Sequence, residues 1–384
     1  MNTSKDRVVV IIPTYNEKEN ISLMIEKLVL EEFPKINADM KLLVVDDNSP
    51  DGTGDIVKKY MKKFNSKQKK IYLLQGEKAG LGMAYVRGMK YAIGEIHADA
   101  VMEMDADFQH PPRFVPPMVQ AYLNGADYVI GSRYIKGGSV PADWAISRKA
   151  ISFFGNLFIR MVLLKPSIHD LTTGFRLTRV NGVLDKIDLD NLMELKRFAY
   201  KVDLLYQSIK NSKKVVEVPL EFAARKREKS KFNPNEMTST FKVAIILGIK
   251  DKMKFIKFAT VGFVGFLVNF IFLRVFRGLN FSEIASWLLS TEIAIVSNFT
   301  FNNFWTFKDN KISGINKIIS KFLQFNLTSV GALIIQSTVG PIGVKIVGAR
   351  YDFLVLLFVV AFLVLPYNYM MYNLVIWKGS KQKK

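Results

Sequence analysis

Four apolar stretches in the last third of the chain, at about 255–276, 284–305, 322–347 and 353–377, limit its possible folds more than any other feature. A helix needs about 20 residues to cross a hydrocarbon core, and each stretch supplies them. The alternative is a soluble bundle of four buried helices. Runs such as FLVLLFVVAFLVLPY argue against it, being apolar around the whole helical circumference. From Phe255 onward there are 13 Lys and Arg against 4 Asp and Glu, clustered between the runs. Lys308, Lys311, Lys317 and Lys321 fill the middle loop, and Lys378, Lys381, Lys383 and Lys384 the tail. The other two loops are short and less basic. The positive-inside rule then places the N-terminal region, the middle loop and the tail in the cytoplasm, in a multi-pass protein of the cell membrane.

This apolar half reads as a duplicated hairpin. Lys257-Phe258 with Val261-Gly262 is echoed by Lys321-Phe322 with Ser329-Val330-Gly331, and Asn302-Asn303-Phe304-Trp305 by Tyr372-Asn373 and Trp377. Just before it, residues 195–254 hold 15 Lys and Arg against 6 Asp and Glu, within a chain of net charge +20. Such a balance suits nucleic acid or an anionic membrane surface. Because the basic segment abuts apolar spans, the bilayer is the expected partner and nucleic acid is not. Residues 237–254 place Phe241, Ile245, Ile246 and Ile249 on one side with lysines beyond, which reads as an interfacial helix or an ordinary surface helix. The expected organisation is 1–236, a linker helix over 237–254, and a membrane region over 255–384. The chain has no cysteine, so disulfides and thiolate metal sites are excluded. Its start, MNTSKDRVVVIIP, lacks the long apolar stretch and small-residue cleavage site of a signal peptide.

The first half alternates short apolar runs (8–12, 42–45, 71–74, 100–104, 127–131) with stretches of helical period (19–30, 53–64, 81–93, 113–124). That alternation predicts an α/β fold with a mostly parallel sheet. Ligands of such sheets bind beyond the carboxyl ends of the strands, so Pro13, Asp47 and the Asp105 region should meet in one cleft.

The segment Met104-Asp105-Ala106-Asp107-Phe108-Gln109-His110 follows an apolar run. Two carboxylates so spaced can share one hard divalent cation, Mg²⁺ or Mn²⁺, that also bridges substrate phosphates and stabilises a diphosphate leaving group. His110 reads as a turn residue. In Pro13-Thr14-Tyr15-Asn16-Glu17, Tyr15 can pack on a base and Glu17 can accept hydrogen bonds from base or ribose; a helix cap at Asn16 or Asn20 explains the same residues. Asp47 suits base or ribose recognition, within a stretch that is also good turn chemistry. Gly80-Leu81-Gly82, between Lys78 and Arg87, can cradle phosphate. Arg133, then Arg148, Lys149 and Ser152, then the cluster Arg225–Lys231, form a cationic set suited to a lipid phosphate, or a solvated basic surface. Asp170–Phe175 lies between the clusters and can line an acceptor site. No Ser/His/Asp triad, Walker loop or zinc spacing is present. A phosphate acceptor needs no strong base, because its second pKa is near ~6.

Taken together, VIIPTYNE, VVDDNSPDGT, MDADFQHPP, GSRYIKGG, DWAISRKAIS and VEVPLEF resemble glycosyltransferase family 2, specifically dolichol-phosphate mannose synthases. The resemblance runs through nearly all of residues 7–235. The apolar half looks like the GtrA-like membrane domain fused to some archaeal and bacterial members. The resemblance implies a GT-A (Rossmann-like) domain followed by an all-α four-helix transmembrane domain, a divalent metal, and inversion at the sugar carbon. It implies that Pro13, Tyr15, Glu17, Val45 and Asp47 hold the nucleotide, with Asp105, Asp107 and Gln109 on the metal and donor diphosphate. Arg133, Arg148, Ser152 and Arg225 would receive the lipid phosphate, and Asp105, Asp107 and Arg133 carry the catalysis. The implied donor is GDP-mannose and the acceptor dolichyl or another polyprenyl phosphate. UDP-glucose is the rival donor, and transport of a lipid-linked sugar is the rival activity; a degenerate sugar-binding module conflicts with intact Asp105, Asp107 and Gln109. Glu228 follows Arg227 where glycine is common in relatives, which leaves the acceptor-loop role open between Arg225 and Arg227, and Phe175-Arg176 stands where relatives carry Phe-Phe or Phe-Arg.

Overall fold

The structure, a computed structural model, describes residues 5–66, 68–224 and 234–377. It divides into two compact units, Met1–Gly248 and Ile249–Lys384.

The first unit is built on a seven-stranded sheet. Strands β1 (Arg7–Thr14), β2 (Asp39–Asp46), β3 (Ile71–Gln75), β4 (Ala100–Glu103) and β5 (Tyr128–Ser132) fall on the five apolar runs. Two further strands, β6 (Arg176–Arg179) and β7 (Val215–Pro219), complete the order β3-β2-β1-β4-β6-β5-β7. All neighbours are parallel except β6, which runs antiparallel to β4 and β5. The sequence of β6, Arg-Leu-Thr-Arg, has no apolar run. Its neighbours bury it nonetheless, so only tertiary pairing makes it a strand.

Helices α1 (Lys18–Glu26), α2 (Thr53–Phe64), α3 (Leu81–Gly94) and α4 (Val115–Leu123) follow β1 to β4 on the stretches of helical period. Period-two alternation sends Val8, Val10 and Ile12 of β1 into one apolar layer with Met24, Leu28 and Val44. Val9 and Ile11 enter the opposite layer with Leu43, Val45 and Met89. In register, Pro13 lies beside Val45, Thr14 beside Asp46, and Ile11 beside Glu103. The carboxyl ends of β1, β2 and β4 therefore open along one edge of the sheet.

Further on come α5 (Ile146–Val162), α6 (Tyr200–Asn211) and α7 (Pro234–Gly278). Ile159 of α5, Val202 and Leu205 of α6, and Val243, Ala244 and Leu247 of α7 pack with Tyr128 and Ile130. The linker helix expected over 237–254 is thus not separate: it is the first part of a helix that continues through the first apolar stretch. Phe241 also leaves the expected face. It packs on Phe158, with ring centroids 5.1 Å apart, while Ile245, Ile246 and Ile249 stay exposed.

Among the described residues, three helices are long and apolar enough to cross a membrane: Asn235–Gly278, which begins in the first unit, Ile284–Thr306 and Leu357–Ile376. The remaining stretch lies in α9 (Ile315–Val347), after α8 (Glu283–Phe301). After α9 come α10 (Asp352–Val359) and α11 (Leu365–Met371). The duplication has a structural counterpart. Asn302–Thr306 and Tyr372–Ile376 are both single π-helical turns. Phe307 N–H closes one onto the Asn302 carbonyl, and Trp377 N–H closes the other onto the Tyr372 carbonyl. The equivalent of Trp377 is accordingly Phe307, not Trp305, and the two rings stack 4.6 Å apart.

Candidate functional site

A cavity of about 330 Å³ opens at the carboxyl edge of the sheet. It is lined by Pro13, Tyr15, Glu17, Asp47, Asp105, Asp107, Gln109 and Arg133, brought from four separate segments. Val45 does not line it; its side chain is buried in the layer against α3, where Gly88 allows close approach. Arg148 and Ser152 are on α5 and do not line it either, and Arg225 lies outside the described residues.

Three of the loops at this edge each turn on a left-handed residue: Asn16 (φ 62°), Asn48 (φ 50°) and Phe108 (φ 63°). Asparagine tolerates this region, but a buried phenylalanine there is strained. That strain sits in the middle of the segment bearing Asp105, Asp107 and Gln109. Asp107 Oδ1 accepts the Gln109 N–H at 3.1 Å, which closes the loop on itself.

Adjacent aspartates at the end of β2 divide their work. Asp46 is fully buried and accepts bonds from Thr14 Oγ1 (3.0 Å) and from Ser49 N–H and Oγ (3.1 and 2.6 Å). It shapes the loop. Asp47 faces the cavity and pairs with Arg87 Nη2 at 2.7 Å. Burial pushes its carboxyl above the usual range, opposed by Arg87. Lys78 Nζ lies 3.4 Å from the centroid of the Tyr15 ring. The glycines between Lys78 and Arg87 pack closely against a neighbouring segment. A Cβ at Gly80 would lie 2.8 Å from the Lys196 backbone, and one at Gly82 would strike the Leu195 carbonyl.

Asp105 meets partners from distant segments. It accepts Tyr85 Oη at 2.8 Å and lies 3.6 Å from Lys201 Nζ. Burial would raise its carboxyl, but Lys201, His110 and Tyr85 outweigh this and bring it down to about 2. His110, read from sequence as a turn residue, is instead a buried ring stacked on Phe175 at 5.1 Å, and it lines the cavity. The Asp105 N–H donates to His110 Nδ1 at 3.1 Å, which assigns the ring proton to Nε2. Burial lowers the His110 pKa to about 4, so the ring is neutral near pH 7.

On the far wall, Arg133 is clamped. Its Nε and Nη2 bond Asp170 at 2.7 and 2.8 Å, and Nη2 also reaches Thr172 Oγ1 at 2.6 Å. Asp170 is satisfied in turn by the N–H groups of Arg133, Thr172 and Thr173. Burial disfavours the charge on each partner, and their mutual attraction outweighs it. Arg133 is held protonated, and Asp170 is held below the usual carboxylate range. A buried pair with good geometry and every lone pair used is the kind that persists. Thr172, Thr173 and Gly174 line the cavity beside it, as do Phe198 and Phe222.

Arg148 behaves differently, stacking 3.8 Å above the Trp144 ring centroid. Ser152 Oγ and Tyr134 Oη are 2.6 Å apart. The same helix exposes Ile146, Ile151, Phe153, Phe154 and Met161 beside Lys149 and Arg160. Sequence reasoning passed over this amphipathic face, although its apolar spacing was legible. It also passed over Lys201 and Tyr85, which no local motif marks.

Asp105, Asp107 and Gln109 offer two carboxylates and an amide, all hard oxygen donors suited to Mg²⁺ or Mn²⁺. Among the described residues there is no cluster of three or more His, Cys, Asp or Glu. The donor set therefore fits a cation that takes its remaining ligands from a bound diphosphate and water, as Mg²⁺ commonly does.

Comparison with known proteins gives a consistent picture. Residues 9–184 match the glycosyl transferase family 2 model, and residues 257–377 match the GtrA/DPMS transmembrane domain model. A dolichol-phosphate mannosyltransferase of Pyrococcus furiosus is 34% identical, over 86% of this chain and 88% of that protein. The polyprenol monophosphomannose synthase of Mycolicibacterium smegmatis is 38% identical over 62% of this chain and 86% of its own length. The undecaprenyl-phosphate mannosyltransferase of Micrococcus luteus is 38% identical over 59% and 88%.

Proposed function

We propose that this chain, which belongs to the glycosyltransferase family 2 polyprenyl-phosphate mannosyltransferases with a GtrA/DPMS transmembrane domain, takes mannose from GDP-mannose and transfers it with inversion at the cytoplasmic face of the membrane. The observation that carries this reading is the convergence of Tyr15, Glu17, Asp47, Asp105, Asp107 and Gln109 on one cavity that Arg133 also lines.

In this reading Tyr15, Glu17 and Asp47 hold the nucleoside. Asp105, Asp107 and Gln109 would hold a divalent cation, Mg²⁺ or Mn²⁺, which when bound neutralises the charge developing on the departing diphosphate. Arg133, already fixed by Asp170, keeps Nη1 clear of that pair and presents it to the lipid phosphate. Arg148 and Ser152, which lie on α5 off the cavity wall, are assigned to the arriving lipid phosphate, as is Arg225 from its sequence position alone. A lipid phosphate oxygen attacks the anomeric carbon from the face opposite the diphosphate. The new C–O bond forms as the old one breaks, and the nucleoside diphosphate leaves with the electron pair. No side chain need remove a proton, because the phosphate is already an anion near neutral pH. The exposed apolar residues of α5 suit an interfacial position. The first unit forms the catalytic part, with the opening turns of α7 packed into it, and the apolar region that follows is the membrane anchor.

Purified protein with Mg²⁺ or Mn²⁺, labelled GDP-mannose or UDP-glucose, and a polyprenyl phosphate tests this directly. Labelled lipid from GDP-mannose, lost on chelation, is the expected result. Label from UDP-glucose alone would overturn the donor, and transfer unaffected by chelation would overturn the metal.

A further inference from the structure

The donor cavity has a neighbouring cation that the reaction above does not use. Lys201 of α6 is completely buried, and its Nζ has no hydrogen-bond acceptor among the described residues. Its ammonium lies 5.1 Å from the Tyr85 ring centroid and 4.9 Å from that of Phe198, and a Cβ on cavity-lining Gly174 would collide with it. Its ion-pair partner is Asp105, at 3.6 Å. The other ionisable groups nearby include Glu103, which both Arg176 and Lys201 act on, and neutral His110. Burying an ammonium without acceptors is costly, so the position demands a reason.

Charge supplies one. Asp105 and Asp107 together carry two negative charges, and Lys201 cancels one of them from behind. No third acidic ligand compensates among the described residues. An empty site of this kind holds a divalent cation weakly, while a diphosphate adds both the missing charge and the missing oxygens.

Resting on the proposed donor reading, we propose that Lys201 is a charge-setting positioning residue. It weakens the empty site's hold on the divalent cation, so that the cation enters with the nucleotide-sugar and leaves with the nucleoside diphosphate. Gly174 leaves the room that the ammonium needs.

The test is Mn²⁺ binding to the full-length protein in detergent, read from the electron paramagnetic resonance of free Mn²⁺, with and without GDP. Wild type should bind Mn²⁺ at least about tenfold tighter when GDP is present. Lys201→Met and Lys201→Gln should bind Mn²⁺ alone about tenfold tighter than wild type, which shrinks the effect of GDP. A merely structural lysine would not tighten metal binding when removed. Variants with native melting curves and unchanged nucleotide-free affinity would overturn the proposal. If neither variant folds, wild type decides alone: equal Mn²⁺ affinity with and without GDP overturns it. A failed donor reading appears separately, as no transfer from GDP-mannose by wild type, and leaves the nucleotide-free comparison intact.

Discussion

Arg133 and Arg148 carry the same expectation from sequence, and the fold treats them in opposite ways. Arg133 is buried in a two-bond clamp with Asp170 and lines the cavity. Arg148 stacks on Trp144, on a helix whose Ile146 is 86% exposed and Phe154 64% exposed. The first arginine belongs to a floor made of buried charges that are paired before any ligand arrives. The second belongs to a rim whose apolar side chains have no protein cover. A floor of this kind is expensive to disturb and sets chemistry. A rim of this kind is cheap to disturb and sets where the substrate is met.

The sharpest break in that contrast is Asp170→Ala. It strands the Arg133 guanidinium in the interior and should cost about 3–5 kcal/mol of stability, read as a drop in thermal midpoint. The corresponding rim change, Arg148→Ala, should leave the midpoint nearly unmoved; equal losses would erase the distinction. Asp107→Ala should lower kcat by roughly 10²–10³-fold with the fold retained by circular dichroism, since it removes a carboxylate that would hold the cation offsetting charge on the departing diphosphate. Unchanged turnover would remove Asp107 from the mechanism. Arg133→Lys keeps a cation beside Asp170 but loses the planar fork. It should raise KM for the lipid about tenfold while KM for the nucleotide-sugar moves less.

Acid sharpens the comparison more gently. Asp170 is held below the ordinary carboxylate range by Arg133. A depressed carboxyl contributes stability above its unfolded pKa and loses it as pH falls through the folded value. Melting should therefore hold steady from pH 7 to about 5 and decline below about 4, with a shallower decline in Asp170→Asn. Smallest of all, Phe154→Ser on the rim should change stability by less than about 0.5 kcal/mol. It should raise the apparent KM for lipid presented in bilayers but not in detergent; identical effects in both would place α5 away from the membrane.

Much of this was written locally. Periodicity marked β1 to β5 and α1 to α4, because each is an apolar run or stripe that any packing must bury. The turn-and-acid segments after β1, β2 and β4 marked the cavity, because parallel strands bring their carboxyl ends to one edge. Uniformly apolar composition marked the membrane region, because no polar face remained to turn elsewhere.

Other features depended on partners distant in sequence. Arg-Leu-Thr-Arg becomes β6 only between β4 and β5. Asp46 and Asp47 are equivalent as letters, and only Thr14, Ser49 and Arg87 separate the structural acid from the cavity-facing one. His110 looks like a turn residue until Phe175 and Phe222 enclose it. Lys201 sits in an unremarkable helix, and its place behind Asp105 exists only because α6 packs beneath the sheet edge. Local pattern fixes which groups must be buried or wet, whereas the charge a site presents depends on which distant side chains the fold brings within a few ångströms.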